Sequence, residues 1–167
     1  MLPRSSEAGW LGIIRIYTGA FWLIHGTAKL MNPQFAAPGG MMSEIVRDMV
    51  PGSSRAYHQF LVGTVLPNTP LFAHLVAWGE TLTGLSLLLG LLARFGGAGG
   101  MFLSLNYMLA QGELGKLNGY AGLDAAAFAL SFLSLVLPTG MRFGLDGLWF
   151  GRVARMSAKD APGWARS

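Results

Sequence analysis

Four stretches of the chain are apolar over about the length that a membrane-crossing helix needs. They run over residues 10–30, 70–93, 95–111 and 120–137. The hydrocarbon core of a bilayer is about 30 Å thick, and a helix crosses it in roughly 20 residues. The pattern therefore predicts an all-α, polytopic membrane protein built as a bundle of four transmembrane helices.

The connections between these stretches differ in length. Residues 33–68 form the longest connection. The spacing of apolar and polar positions in residues 41–50 and 54–66 predicts two short amphipathic helices that lie on the membrane face or cap the bundle. Arg94 alone separates the second stretch from the third, which predicts a tight hairpin. Residues 1–156 read as one transmembrane domain, and residues 157–167 as a disordered cytoplasmic tail.

The composition supports a membrane protein. Hydrophobic residues make up 52% of the chain and charged residues 12%, against about 25% charged residues in soluble domains. The net charge is +4, but no basic patch is interleaved with aromatic residues, so the charge indicates topology and lipid contact and not nucleic-acid binding. The chain has no cysteine, so any redox chemistry must reside on a bound cofactor or substrate.

The distribution of basic residues predicts the orientation. With four spans, both termini lie on the side of Arg94, and this side holds the larger share of Lys and Arg. The two groups are Arg4, Arg94, Arg142, Arg152, Arg155, Lys159 and Arg166 on that side, and Arg47, Arg55 and Lys116 on the other. Basic residues concentrate on the cytoplasmic side of a membrane. We therefore expect a multi-pass protein of the inner (cytoplasmic) membrane, with cytoplasmic termini and an external 33–68 loop.

Each stretch also carries polar residues that lipid disfavours: Arg15, His25, Glu80, Asn106 and Asp124. Such residues nearly always face protein or water. At ~1.5 Å per residue, His25, Asn106 and Asp124 lie ~6–8 Å below the outer face, Glu80 ~15 Å and Arg15 a few ångströms deeper. We expect the three shallow residues to converge as a quinone or proton site, with Lys29 above and Glu80 below.

Each of these residues also has a structural interpretation. In the structural interpretation, Arg15 and Glu80 form a buried ion pair between the first two spans. In the functional one, Glu80 carries a proton or faces a quinone. His25 is either a satisfied interior histidine or a donor to a quinone carbonyl. Lys29 snorkels to the interface, Asn106 joins helices, and Asp124 needs a partner such as Lys29 or His25.

A haem or chlorin is the less favoured alternative. His25 and His74 lie at similar depths, and a histidine pair on facing helices ligates haem b. His74, however, is ~120° around its helix from Glu80, so the two side chains do not share a face. Ligation by His25 or His74 is therefore disfavoured but stays open, and no metal site is predicted.

Three local patterns give the chain a resemblance to the DoxX family, which includes the DoxD subunit of thiosulfate:quinone oxidoreductase. They consist of Arg15, Gly19, Phe21, His25-Gly26, Lys29-Leu30 and Asn32-Pro33; of Gly79-Glu80, Gly84, Leu89-Gly90-Leu91 and Arg94; and of Leu137-Pro138, Arg142, Gly144 and Leu145-Asp146. The resemblance implies a four-helix membrane bundle, and the best-known activity of the group needs a second subunit. It identifies no thiosulfate site.

Two functions remain open at this point. In the first, the chain is the membrane subunit of an oxidoreductase complex that interacts with quinone. In the second, it is a non-catalytic accessory or scaffold subunit of a larger respiratory or photosynthetic complex, held by other subunits or by self-association. A transporter is less favoured, because four spans lack the paired broken helices of such folds.

Overall fold

The computed structural model describes residues 5–112, 114, 119–137, 139 and 144–147. Its helices are α1 (Ser5–Leu30), α2 (Met41–Met49), α3 (Arg55–Phe60), α4 (Thr69–Leu89), α5 (Ala93–Ala110) and α6 (Gly119–Val136). No strand occurs in the described part of the chain, so the all-α prediction is confirmed. The tail at 157–167, predicted to be disordered, lies outside the described residues.

The helical path continues from α3 into α4 through two irregular turns. A π-helical turn covers Leu61–Val65, and a 3₁₀ turn covers Leu66–Asn68. Pro67 and Pro70 lie at these turns, and a proline has no backbone N–H to donate to the preceding turn. The prolines therefore explain why the continuous helical path is interrupted between α3 and α4, the two helices that the sequence predicted as a loop helix and a span.

Glycines set the contact between α1 and α4. A Cβ added at Gly19 would come within 2.5 Å of the backbone of Leu88, and one at Gly84 within 2.3 Å of the backbone of Leu23. Gly26 meets Thr81 in the same way. Backbones this close need small residues, as is common between membrane helices. The pairs also fix the register: α1 and α4 run antiparallel, with later residues of α1 against earlier residues of α4.

The hairpin between α4 and α5 is short, as predicted, but its turn lies at Gly90–Leu92, and Arg94 belongs to α5. Gly90 ends α4 in the left-handed conformation at φ +62°, which glycine adopts without strain. Asp146 then closes the hairpin, since its carboxylate accepts hydrogen bonds from the backbone N–H groups of Leu92 at 2.8 Å and Ala93 at 3.0 Å. A residue 54 positions away thus caps the start of α5.

The four long helices pack in sequence, and α1 also contacts α6. Gly97 and Gly100 of α5 lie against Leu135 and Ser131 of α6. Trp22 of α1 is buried and donates a hydrogen bond from its indole N–H to the Ser131 hydroxyl at 3.2 Å. This bond joins the first helix to the last and closes the arrangement.

The described residues bury an unusual number of polar side chains beside the apolar ones, and they expose many large apolar side chains. Buried positions include Arg15, Thr18, Glu80, Thr81, Thr83, Ser104, Ser131 and Ser134. Large apolar side chains are exposed along the outside of the long helices, among them Ile13, Ile24, Leu71, Leu75, Trp78, Leu82, Phe95, Phe102 and Phe132. An apolar patch of this extent marks contact with lipid or protein.

Candidate ligand-binding site

A buried carboxylate lies at the centre of the site. Glu80 of α4 is 1% exposed, and its Oε1 accepts hydrogen bonds from the Lys29 ammonium and from the Tyr107 hydroxyl. Lys29 also donates to the Tyr107 oxygen at 3.4 Å, and 25% of its side chain is exposed. We call these three residues the Lys29 cluster. It joins α1, α4 and α5 at one end of the bundle.

The predicted ion pair between Arg15 and Glu80 is wrong. Glu80 pairs with Lys29, which the sequence analysis had placed at the membrane interface. The reason is the register of α1 against α4. Because Gly26 meets Thr81, Glu80 lies level with the end of α1 and not near its middle.

The predicted depths of the side chains were wrong because they assumed that the start of α4 and the end of α1 lie at the same height in the membrane. The observed register places Leu30 opposite Ala77, so α4 extends about eight residues, or ~12 Å, beyond α1. The segment of α2 and α3 packs beside that extension, where Val46, Leu61, Val65 and Ala110 form one apolar cluster. The loop helices therefore add a wall to the site, which depth counting along separate spans could not reveal.

Arg15 lies at the opposite end of the α1–α4 contact. It is 0% exposed, and a Cβ added at Gly90 would overlap its guanidinium. Asp146 acts on Arg15 electrostatically, and the Asp146 backbone N–H donates to the Gly90 carbonyl at 2.8 Å. Arg15 thus belongs to the closure of the α4–α5 hairpin and not to the Lys29 cluster.

A cavity of about 420 Å³ adjoins the Lys29 cluster. Ligand sites in proteins usually enclose about 300–1,000 Å³, with mostly apolar walls and a few polar groups. Here the walls come from α2, α3, α4, α5 and the turns between α3 and α4. The polar residues that line it are Lys29, Tyr57, Asn106 and Tyr107; the apolar ones include Phe35, Val46, Phe60, Val76, Leu103 and Ala110.

One side of the cavity lies at the apolar exterior. Leu75 of α4 and Phe102 of α5 line the cavity and are 58% and 67% exposed. Phe60 of α3 also lines it and is exposed. A lipophilic chain bound inside could therefore leave between α4 and α5 over apolar side chains, while a polar head group meets Lys29 and Tyr107.

Asn106 lies in the cavity wall, but not with the neighbours that were predicted. Its side-chain oxygen accepts a hydrogen bond from the Tyr57 hydroxyl at 2.7 Å, and its amide nitrogen donates to the Phe102 carbonyl at 2.6 Å. Asn106 thus ties α3 to α5 and holds the loop segment over the cavity.

Asp124 of α6 is linked to α5, since its carboxylate accepts a hydrogen bond from the Gln111 side chain at 2.9 Å. It lies close enough to Tyr107 to act on it electrostatically. It does not line the cavity. Of the three residues that were predicted to converge, Asn106 therefore borders the cavity directly, and Asp124 is connected to the site through its neighbours on α5.

The predicted convergence is wrong for His25. The side chain is exposed, and Nδ1 is 2.8 Å from the Phe21 carbonyl of its own helix. At ~100° per residue, His25 lies ~80° from Arg15, on the flank of the face that packs against α4. Two residues 80° apart on one helix can therefore differ in exposure, and here Arg15 is buried while His25 is exposed.

His74 is also exposed, and it borders a smaller pocket beside Asn32 and Lys29. Within the described residues, no group of three or more His, Cys, Asp and Glu side chains is placed to hold a metal ion.

Two residues of the site were not predicted. Tyr107 follows Asn106 directly, and in a helix the next residue points ~100° away, so the sequence analysis assigned the polar position to Asn106 alone. Tyr57 belongs to the predicted amphipathic helix at residues 54–66, where its aromatic ring fits an apolar face. A tyrosine in an apolar helix carries a hydroxyl that needs a partner when buried, and this was the signal available for both residues.

The fold and the polarity define a class of protein. The described part of the chain is all-helical, with an apolar exterior and polar side chains inside. Within it, the stretch Arg55–Leu89 is long and apolar enough to cross a membrane, by length and composition. The DoxX family model matches residues 10–111, and the chain belongs to this family of membrane proteins. No curated protein and no solved structure matches the chain.

Proposed function

We propose that this protein is the quinone-binding integral membrane subunit of an oxidoreductase complex. In this proposal α1, α4, α5 and α6 each cross the inner membrane, with both termini cytoplasmic and the α2–α3 segment outside. The cavity holds the quinone head group beside Tyr107 and Lys29. The isoprenoid tail passes between Leu75 and Phe102 into the lipid.

The observation that carries the proposal is the position of the Lys29 cluster at one end of an apolar cavity. Tyr107 and Lys29 line the cavity, and both are held by the buried carboxylate of Glu80. Fixed polar groups at the end of an apolar cavity can orient a head group, while the apolar walls hold the rest of the ligand. Phe72 and Phe102 add aromatic side chains to those walls.

The test uses a matched pair of substitutions on α5. Ala110→Phe adds a ring inside the cavity wall, whereas Leu105→Phe adds a similar ring at a position that is exposed and does not line the cavity. The proteins are purified in lipid nanodiscs, and bound quinone is extracted and quantified by mass spectrometry. We expect quinone in the unmodified protein and in Leu105→Phe, and a loss of most of it in Ala110→Phe.

Two other outcomes would redirect the assignment. Equal quinone content in the two variants would place the quinone outside this cavity. Stoichiometric partner subunits with no quinone in any sample would favour the accessory or scaffold function.

The orientation is tested separately by cysteine labelling. The chain has no native cysteine, so single cysteines at Ser54 and Ser157 report their own sides of the membrane. We expect labelling from opposite sides, with Ser54 outside. Labelling of both from one side would contradict the proposed topology.

A further inference from the structure

A second, smaller pocket shares two wall residues, Lys29 and Phe35, with the cavity. Its volume is about 240 Å³, and it lies between the connection from α1 to α2 and the beginning of α4. We call it the outer pocket. Besides the two shared residues, its walls include Asn32, Ala37, Ala73 and His74.

The outer pocket has the room and the polar groups that water needs. Pro33 and His74 line it and are exposed, so it opens to the surroundings. A water molecule takes about 30 Å³ of liquid volume and needs two to four polar partners. Lys29, Asn32 and His74 supply such partners, and the small alanine side chains between them leave space. The outer pocket can therefore hold several water molecules.

The Lys29 ammonium is held where the outer pocket and the cavity meet. Its nitrogen lies 5.8 Å from the centre of the Phe35 ring and 5.4 Å from the centre of the Tyr107 ring. It donates hydrogen bonds to Glu80 and to Tyr107. An ammonium has three N–H groups. One is thus left for a water molecule in the outer pocket or for a ligand in the cavity.

The other titratable groups around the Lys29 cluster are Tyr57 of α3, His74 and Glu80 of α4, Tyr107 of α5 and Asp124 of α6. Tyr57 and Tyr107 line the cavity but not the outer pocket, and His74 lines the outer pocket but not the cavity. Glu80 and Asp124 line neither space. Among these described groups, Lys29 is therefore the one that water on one side and a ligand on the other can both reach.

We infer that the outer pocket is a water-filled port that supplies protons through Lys29 to the ligand in the cavity. This inference rests on the proposed function, because it names the proton route of the same quinone site. A ligand oxygen that has become basic takes a proton from the Lys29 ammonium, and a hydronium ion in the outer pocket returns a proton to the amine. The net change is one proton moved from water to the ligand, and the step transfers no electron.

The test follows the protonation of a coloured ligand bound in the cavity. A hydroxynaphthoquinone with a decyl chain has an acidic hydroxyl, and its anion differs in visible colour from its neutral form. The protein in nanodiscs is loaded with the anion, and the excess is removed. A rapid drop in pH then starts the reaction, and stopped-flow absorbance gives the rate at which the bound ligand is protonated.

The decisive variant is Ala37→Phe, which places a ring in the outer pocket and leaves the cavity walls unchanged. We expect protonation on the order of ten-fold slower, because closing a site expels the water that carries protons. Affinity for the ligand should stay within about two-fold. Ala28→Phe is the control, since it adds the same ring at an exposed position of α1 that lines neither space. Its protonation rate should equal that of the unmodified protein.

A second variant covers the case in which Ala37→Phe does not fold. Ala37→Cys carries the only cysteine of the chain, so it can be modified after purification with a bulky, water-soluble thiol reagent that forms a disulfide. Modification should slow the protonation of the bound ligand, and reduction of that disulfide should restore the original rate.

The outcomes separate this inference from the proposed function. Protonation that stays fast in Ala37→Phe or in modified Ala37→Cys, or that Ala28→Phe slows equally, would overturn the port while the cavity remains a quinone site. Failure of the hydroxynaphthoquinone to bind, or its undiminished binding to Ala110→Phe, would overturn the proposed function itself.

Discussion

The two ends of α1 bury basic side chains in different ways. Arg15 and Lys29 are 14 positions apart, about 21 Å along the helix. Arg15 is fully buried against the α4–α5 hairpin, near Asp146. Lys29 is partly exposed, pairs with Glu80 and lines a cavity.

The hydrogen-bond donors to the two carboxylates show what this difference means. Both oxygens of Asp146 accept backbone N–H groups, from Leu92 and Ala93. In Glu80, Oε1 accepts from two side-chain donors, and Oε2 has no hydrogen-bond partner in the part of the chain that the structure describes. The Asp146 carboxylate therefore holds a turn of the backbone closed, whereas the Lys29 cluster presents Lys29 and Tyr107 to a cavity. A buried charge in a membrane helix is best interpreted by this criterion, because both kinds look alike in a sequence.

The largest effect is expected from Asp146→Ala. The change removes a carboxylate near buried Arg15 and the acceptor of two backbone N–H groups. A hydrogen bond to a charged group contributes ~1.5–3 kcal/mol, so losing the acceptor of two backbone N–H groups should lower the free energy of unfolding by ~3–5 kcal/mol. SDS titration in mixed micelles measures it. Quinone affinity of the folded protein should change less than about two-fold, since no cavity wall is altered.

The control for this prediction is Asp48→Ala, which removes an exposed carboxylate from α2. It should alter stability by less than about 0.5 kcal/mol. An Asp146→Ala protein of normal stability and reduced quinone affinity would remove the distinction between the two ends of α1.

A smaller effect is expected from coupling within the Lys29 cluster. Lys29→Met and Glu80→Gln should destabilise less together than the sum of the single changes, by about 1–3 kcal/mol, because each single change strands a partner. Arg15→Met and Glu80→Gln should be additive within ~0.5 kcal/mol, since the register separates them by about 18 Å. A double-mutant cycle from SDS titrations measures both values. Coupling of Glu80 to Arg15 and not to Lys29 would contradict the observed register.

The sequence was sufficient for the helices because their signals are local. Apolar stretches, Asn32-Pro33 and the glycines after Arg94 are visible without any tertiary information, and the helices lie near the predicted positions. The sequence also pointed to Glu80 and Asn106, since a polar residue in an apolar helix is conspicuous. The partners of these residues depend on the register between helices, which is not a local property.

The failure of the Arg15–Glu80 pair shows this limit most clearly. Charge and approximate depth favoured that pair, but the close contacts at Gly19, Gly26 and Gly84 set a different register. Steric contacts between backbones cannot be displaced, whereas a side-chain pair can change its partner. Tyr107 was missed for a related reason, because its role depends on which face of α5 meets Glu80.

The smallest effect is expected from the histidines. His25→Phe and His74→Phe each change an exposed side chain that does not line the larger cavity. We expect changes within about 0.5 kcal/mol in stability and no measurable change in quinone affinity. The same titrations and binding assays serve here. A large loss of quinone binding in either variant would move the site to that histidine and reopen ligation of a haem or chlorin.

The most direct test of the Lys29 cluster as a ligand site is photoaffinity labelling with an azido-substituted quinone in nanodiscs, mapped by peptide mass spectrometry. We expect labelling of the cavity walls, in α2 (Met41–Met49) and in α5 near Phe102 and Tyr107. Excess unmodified quinone should compete, and the Ala110→Phe change should suppress the labelling. Labels confined to the exposed face of α1 around His25, or to Gly122–Val136 of α6, would contradict a ligand site at the Lys29 cluster.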